Sequence, residues 1–243
     1  MLKSFGSGLN VAVVGATGGI GAAVCAQLAE MPSVDSLFTL SRDPGPDVTD
    51  LFLDVTDEAS IAAAAETIRS RAGALHLVIV ATGTLQDGGD FQPEKSWRAL
   101  DPGNFTHAFR VNTTGPALVA KHFLPLLARD RKAAFASLSA RVGSISDNLL
   151  GGWYAYRASK AALNMTIRTL SIELARRWPE ALCVGLHPGT VDTGLSAPFR
   201  SNVPANKLFS PDVAATQLLE VLDGLTADDT GGVFAWDGSR IPA

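Results

Sequence analysis

Seven short apolar runs punctuate the chain: LNVAVVG (9–15), DSLFTLS (35–41), TDLFLDV (49–55), LHLVIVATG (75–83), KAAFASLSA (132–140), ALCVGLHPG (181–189) and GGVFAWDG (231–238). Most are apolar at successive positions rather than at alternate ones. A strand that is apolar on both faces is covered on both sides, which is the condition of a parallel sheet flanked by helices. Between the runs lie alanine-rich stretches at helical spacing, beginning near Gly19, Asp57, Phe105, Trp153 and Pro211. Strand–helix–strand alternation of this kind predicts an α/β fold, a doubly wound parallel sheet of about seven strands.

Neither a linker nor an internal repeat interrupts the pattern, so residues 1–243 read as a single domain. Two stretches lack periodicity. Residues 85–102 are polar and hold Gly88 and Gly89, and residues 192–210 hold Pro198 and Pro204. Ligands of open α/β sheets bind beyond the carboxyl ends of the strands. The two stretches are therefore expected to shape a substrate pocket, the second as a lid after the sixth strand. Arg200, Asn202 and Lys207 are its polar exceptions.

Composition narrows the function. A chain of 243 residues with 47% apolar side chains can bury a full core. A net charge of -4 without any basic block offers no footprint for a phosphate backbone, so nucleic acid is not an expected partner. No apolar run approaches the roughly 20 residues that span a bilayer. The apolar stretch Leu9 to Val14 is too short for a secretory signal and runs into a glycine loop. A cytoplasmic protein is expected. Cys25 and Cys183 lie far apart and read as buried small hydrophobes. His76, His107, His122 and His187 show no ligand spacing, so no metal site is expected.

Candidate chemistry begins at GATGGIG (15–21), between the first strand and the first helix. Gly15 suits a tight turn, Gly19 a close approach of backbone to a pyrophosphate, and Gly21 close packing of helix on strand. The helix N-terminus then presents free N–H groups and the positive end of its dipole. Gly15, Thr17, Gly18, Gly19, Ile20 and Gly21 are thus the expected cradle of a dinucleotide in a Rossmann-type domain. The second strand ends in Ser41-Arg42. A hydroxyl and a guanidinium suit a 2′-phosphate, where a carboxylate would repel it. NADP(H) is therefore expected, with NAD(H) the alternative if Asp43 meets the ribose. Asp54-Val55, after the third strand, is placed to meet an adenine, although Asp54 alone equally suits a cap of the next helix.

The segment GGWYAYRASKAALN (151–164) carries Tyr156 and Lys160 four residues apart, on one helix face. A phenol of pKa about 10 is a poor acid–base catalyst at neutral pH, and a neighbouring ammonium lowers that value. The pair suits proton delivery to a carbonyl oxygen while hydride reaches its carbon. Alone, the spacing is equally that of an ordinary helix.

Taken together, the motifs resemble those of the short-chain dehydrogenase/reductase family over essentially the whole chain. They are GATGGIG, Asp54-Val55, Val111-Asn112, SARVGS, Tyr156 with Lys160, and His187-Pro188-Gly189 followed by Thr193. The segments SISDN, GGWYAYRASKAALN and WDGSRIP look most like the branch with C-factor-like proteins and small carbonyl reductases. The resemblance implies a catalytic set of Asn112, a serine near the fifth strand, Tyr156 and Lys160. In that set Asn112 kinks its helix and holds a proton-relaying water, and Lys160 also holds the nicotinamide ribose. It implies cofactor contacts from Ala81, Gly83, Pro188, Gly189, Val191 and Thr193, and a homodimer or homotetramer paired through the helices from Phe105 and Trp153.

Two departures stand out. The family's Asn-Asn-Ala-Gly after the fourth strand is Val80-Ala81-Thr82-Gly83 here. Three residues before Gly143, where the family has its serine, stands Ala140. Ser139 is the first choice to replace it and Ser144 the second. The resemblance implies an NADPH-dependent reductase of a small aldehyde, ketone or quinone. The alternative is a C-factor-like signalling or regulatory protein that binds the cofactor with little turnover. An epimerase or dehydratase on the same scaffold would need more chain after Pro188.

Overall fold

The computed structural model describes every residue except 47–49, 87, 88, 90, 198–203, 205 and 206. Arg200 and Asn202, two of the polar residues of the expected lid, lie outside the described residues.

Seven parallel strands form the central sheet, in the order β3-β2-β1-β4-β5-β6-β9. They are β1 (Leu9–Val14), β2 (Val34–Ser41), β3 (Asp50–Phe52), β4 (Leu77–Val80), β5 (Ala133–Leu138), β6 (Ala181–His187) and β9 (Val233–Ala235). Each falls within or beside one of the apolar runs. The strand order reverses between β1 and β4, and that switch point opens a crevice at the carboxyl ends of the strands.

Alternate residues feed two cores. Ala12, Val14, Phe38, Leu40, Phe135 and Cys183 face α2 (Glu58–Ala72), α4 (Gly115–Phe123) and α5 (Tyr154–Leu174). Val11, Val13, Leu77, Ala134 and Leu182 face α1 (Gly19–Ala29) and α6 (Pro211–Gly224). Both faces of the sheet are dry, which accounts for the unbroken apolar runs.

α2, α6 and the helix expected near Phe105 start where short polar side chains cap them. The Asp57 carboxylate accepts from the Ala59 N–H and opens α2, and the Ser210 hydroxyl accepts from the Val213 N–H and opens α6. The helix expected near Phe105 begins three residues earlier, as α3 (Pro102–Phe109). Asp101 caps it by accepting from the Asn104 N–H, and Pro102 takes the first position. α3 then widens into a π turn, Arg110–Thr114, before continuing as α4. A second feature was not anticipated: β7 (Thr190–Val191) and β8 (Leu208–Phe209) form a two-strand parallel ladder that ties the two ends of the expected lid together. Among the described residues no helix is long and apolar enough to cross a membrane.

Candidate active site

The glycine loop closes tightly at the switch point. Gly15 has φ +86°, and a Cβ there would lie 2.9 Å from Thr82 Cγ2 at the end of β4. A Cβ on Gly21 would lie 2.1 Å from the Gly15 carbonyl oxygen, so only glycine lets α1 start this close to β1. Thr17, Gly18 and Gly19 are exposed, and no side chain caps α1. Its first N–H groups therefore face the crevice without intrahelical partners, a ready anion site. A Cβ on Gly19 would come within 2.7 Å of Thr193 Cγ2, so the segment after β6 passes directly over this helix end. Thr82 Oγ1 is buried with no partner among the described residues. Exposed amides, a cradle that any Cβ would fill and an unpaired buried hydroxyl fit a dinucleotide.

The residues expected around an adenosine follow the same edge. Ser41, at the end of β2, is buried, and its hydroxyl accepts from the Asp43 N–H at 3.2 Å. Arg42 and Asp43 are exposed. Asp54 does not cap α2. Its carboxylate accepts from the N–H and hydroxyl of Thr56, both at 2.8 Å. Burial raises the Asp54 carboxyl, but the Thr56 bonds outweigh it and, with the charges of Arg42 and Arg110, hold it below its ordinary value. Val55 is buried against Gly115, where a Cβ would come within 2.8 Å.

Asn112 sits in the π turn and is fully buried. Its Nδ2 donates to the Thr84 carbonyl at 2.9 Å and to Ser159 Oγ at 3.1 Å, and its Oδ1 accepts from the Thr84 N–H at 2.8 Å. The side chain thus pins the backbone that follows β4 to α5. Between them lies Gly83, whose missing Cβ would be 3.4 Å from Asn112 Oδ1 and 3.6 Å from Lys160 Nζ. The glycine retained from the family's pattern therefore lies beside the lysine, where a Cβ would make only ordinary contacts.

Tyr156 and Lys160 are both buried on one face of α5. Lys160 Nζ lies 5.9 Å from the phenol ring centroid and donates to the Leu138 carbonyl at 2.8 Å. Burial pushes the Tyr156 phenol up to about 12 and pulls Lys160 down to about 8. The expected lowering of the phenol by its neighbour is therefore reversed, because desolvation outweighs a charge held near 6 Å and turned toward a carbonyl.

The entry to α5 is unusual. Gly151, Gly152 and Trp153 have φ of 64°, 67° and 52°, three left-handed residues in succession, and Trp153 has a side chain to accommodate. Glu94 holds the turn. Its carbonyl accepts from the Trp153 N–H at 2.5 Å, and its buried carboxylate accepts from the Ala155 N–H at 3.1 Å and from Asn104 Nδ2 at 3.2 Å. Arg157 Nε donates to the carbonyls of Gly151 and Gly152 at 3.2 and 3.0 Å. The Trp153 indole stands edge-on to Tyr156, centroids 6.3 Å apart. Sequence reasoning missed Glu94, an isolated acid in a polar stretch with no spacing to mark it.

The two serines expected near Tyr156 point elsewhere. The Ser139 N–H continues the β5–β6 ladder to the Leu186 carbonyl at 2.7 Å. The chain is still extended there, so neighbours diverge, and the Ser139 hydroxyl donates to Asn164 Oδ1 at 2.6 Å, two turns along α5 from Tyr156. Ser144 accepts from the Asp147 N–H at 3.2 Å and donates to the Ala243 carbonyl at 3.4 Å. It is Ala140 that packs on Tyr156, in an apolar cluster with Leu85, Val142, Trp153 and Leu195.

After β6, Pro188 leads into Gly189, with φ +75°, where a Cβ would strike Phe209 at 2.7 Å. Val191 is buried in the β7–β8 ladder, and Thr193 reaches Gly19 as described. Ala81 packs on the α1 side of the sheet.

Residues 9–204 match the short chain dehydrogenase family. The chain belongs to that family, a family of oxidoreductases. Among its relatives is the C-signal of Myxococcus xanthus, 37% identical over 150 residues, covering 60% of this chain and 84% of the relative. Another is the 1-hydroxy-2-glutathionyl-2-methyl-3-butene dehydrogenase of a Rhodococcus species, 30% identical over 78% of this chain and 77% of the relative. The NADPH-bound carbonyl reductase from chicken fatty liver superposes with a TM-score of 0.83 at 27% identity, over 98% of this chain and 95% of the other. Within the short chain dehydrogenase family, this chain combines a closed glycine cradle and the tyrosine–lysine pair with alanine in place of the expected serine.

Proposed function

We propose that this protein is an NADPH-dependent reductase of a small carbonyl compound, with Tyr156 as the proton donor. The observation that carries the reading is the burial of Tyr156 and Lys160 together beside Gly83 and Asn112, on the crevice that the glycine cradle opens. NADPH, when bound, supplies the hydride. Gly15–Gly21 would hold its pyrophosphate, Ser41 and Arg42 its 2′-phosphate, and Asp54 and Val55 its adenine. The 188–193 segment, which passes over the start of α1, would cover its nicotinamide end. The NADPH bound to the chicken reductase supports the choice of cofactor.

Hydride addition leaves negative charge on the carbonyl oxygen. A phenol at about 12 stays protonated across the physiological range, and an alkoxide is basic enough to take its proton. The Lys160 ammonium, largely charged at pH 7, steadies the phenolate left behind. Asn112 fixes the Thr84 backbone against α5 and so holds the geometry of the pair.

The test follows NADPH oxidation against aldehydes, ketones and quinones for wild type and Tyr156→Phe, with NADPH affinity measured for both. Turnover that falls about 100-fold or more in the variant, with affinity unchanged, supports the reading. A second reading is favoured by Ala140 and by the likeness to C-signal: a protein that binds NADPH and turns over little. NADPH binding with no turnover of any panel member favours that one.

A further inference from the structure

We infer that Glu94 is the positioning residue of the proton donor: from the segment ahead of α3 it fixes the first turn of α5 and, through that turn, the Tyr156 phenol. The inference rests on the reductase reading and adds a residue to that same site. α5 opens without a cap of its own, because Trp153 holds the N-cap position and makes no side-chain capping bond. A local cap would accept from an N–H two or three residues on. Glu94 does this from 61 residues away, its carboxylate accepting from the Ala155 N–H at 3.1 Å while its carbonyl accepts from the Trp153 N–H. The two donors lie one and three residues ahead of Tyr156. A carboxylate at a helix start also suits the helix dipole. The acid is itself buried and held on two sides. Asn104 Nδ2 donates to it at 3.2 Å from the first turn of α3, and Phe91, three residues earlier, packs with Ala108 and Ala155.

The two members of the pair are therefore anchored differently. Lys160 lies a turn deeper in α5, donates to the Leu138 carbonyl and backs onto Gly143. Tyr156 is the third residue of the helix, where a helix frays unless something outside holds it. The chain reaches it through three left-handed residues, a path that the backbone alone does not favour. Loosening that turn moves the phenol against an unmoved lysine and an unmoved glycine cradle. A misplacement near 1 Å is worth about 100-fold in rate.

Two conservative variants separate reach from charge. Glu94→Asp keeps the charge and withdraws the carboxylate from Ala155. Glu94→Gln keeps the reach and removes the charge, and the Asn104 amide can turn its oxygen to the new NH2 group. With benzaldehyde, acetophenone and menadione as substrates, Glu94→Asp is expected to lose about 10- to 100-fold in kcat, with KM and the NADPH Kd within about threefold. Glu94→Gln is expected to stay within about threefold of wild type in all three. A second readout needs no turnover. The chain has two tyrosines, Tyr154 and Tyr156, so labelling with meta-fluorotyrosine gives two fluorine NMR signals, which Tyr156→Phe assigns. The Tyr156 signal should shift or broaden in Glu94→Asp and hold its place in Glu94→Gln. Should Glu94→Asp fail to fold, Asn104→Ala serves instead, since it releases the Glu94 carboxylate and should broaden the same signal. A Tyr156 signal unmoved in Glu94→Asp (or in Asn104→Ala), wild-type kcat in Glu94→Asp, or equal losses in Glu94→Asp and Glu94→Gln overturns the inference. No NADPH oxidation by wild type with any of the three substrates overturns the reductase reading, and the fluorine signals then decide the positioning of Tyr156 by themselves.

Discussion

Replacing Gly143 with alanine tests how closely α5, which carries Tyr156 and Lys160, is braced. Gly143 ends the single 3-10 turn Arg141–Gly143 beneath α5. A Cβ there would lie 2.8 Å from the Lys160 carbonyl carbon, 2.9 Å from its Cβ and 3.0 Å from its carbonyl oxygen. These atoms belong to a helix and cannot rotate aside. Since φ at Gly143 is not positive, the whole effect is steric. Restoring an ordinary carbon–carbon contact of about 3.5 Å requires a shift of roughly 0.7 Å between turn and helix. Overpacking of this kind costs about 1–3 kcal/mol, a fall in Tm of about 2–12 °C at this chain length. Tyr156 rides on the same helix one turn away. A misplacement near 1 Å is worth about 100-fold in rate, so kcat should fall about 10- to 100-fold. The glycine cradle is built on α1, so NADPH affinity should stay within about threefold. Thermal melting, fluorescence titration with NADPH and initial rates read the three quantities. Wild-type Tm and wild-type kcat together would show that the turn gives way freely, and would refute the bracing.

The remaining predictions concern charge and buried polar groups. Reduction should slow as pH rises through about 8, with a single-proton slope, as Lys160 loses its charge while Tyr156 stays protonated to about 12; a flat profile to pH 10 would contradict this. Lys160 is depressed from its ordinary 10.5 to about 8, so the unfolded chain binds the extra proton between those values and stability rises with pH across that window, by up to about 3 kcal/mol. Lys160→Met should reduce that rise in urea titrations and leave the share of Lys132, which burial likewise lowers to about 8. Asn112→Ala strands the half-buried Thr84 N–H and should cost about 1–3 kcal/mol, seen as a Tm lower by roughly 2–12 °C. Arg42→Ala should weaken NADPH about tenfold or more and leave NADH nearly unchanged; equal weakening of both would remove Arg42 from the 2′-phosphate.

The fold was legible because the sheet is covered on both faces. Each strand had to be apolar at successive positions, and Val11 and Val13 serve one core while Ala12 and Val14 serve the other. The glycine loop was legible because its closures are steric, as at Gly21, and sterics of that kind exclude every other residue. The start of α3 was misplaced although Asp101-Pro102 carries the signal, a capping acid followed by proline at the first position. The two-residue strands β7 and β8 are too short to set a pattern. Glu94 acts through its fold neighbours, Trp153, Ala155 and Asn104, none of them within eight residues in the chain. The role of Ser139 turned on strand alternation: the ladder runs one residue past β5, and that residue sends its hydroxyl to Asn164. The sign of the Tyr156 shift depended on burial, which no spacing in a sequence expresses.

The short ladder of β7 on β8 makes the pocket a separable cassette. Thr190 and Val191 pair with Leu208 and Phe209, so residues 192–207 leave and re-enter the domain at one clamped point. Beyond such a clamp, doubling the length of a loop costs only about 0.6 kcal/mol in closure entropy. Thr193 reaches Gly19 and Leu195 packs on Tyr156, so exchanges that keep these two keep the described packing of the stretch on the cradle and on α5. On the proposed reading, substrate preference can therefore drift between lineages, or be transplanted by an engineer, on a scaffold whose glycine cradle and buried Tyr156 stay fixed.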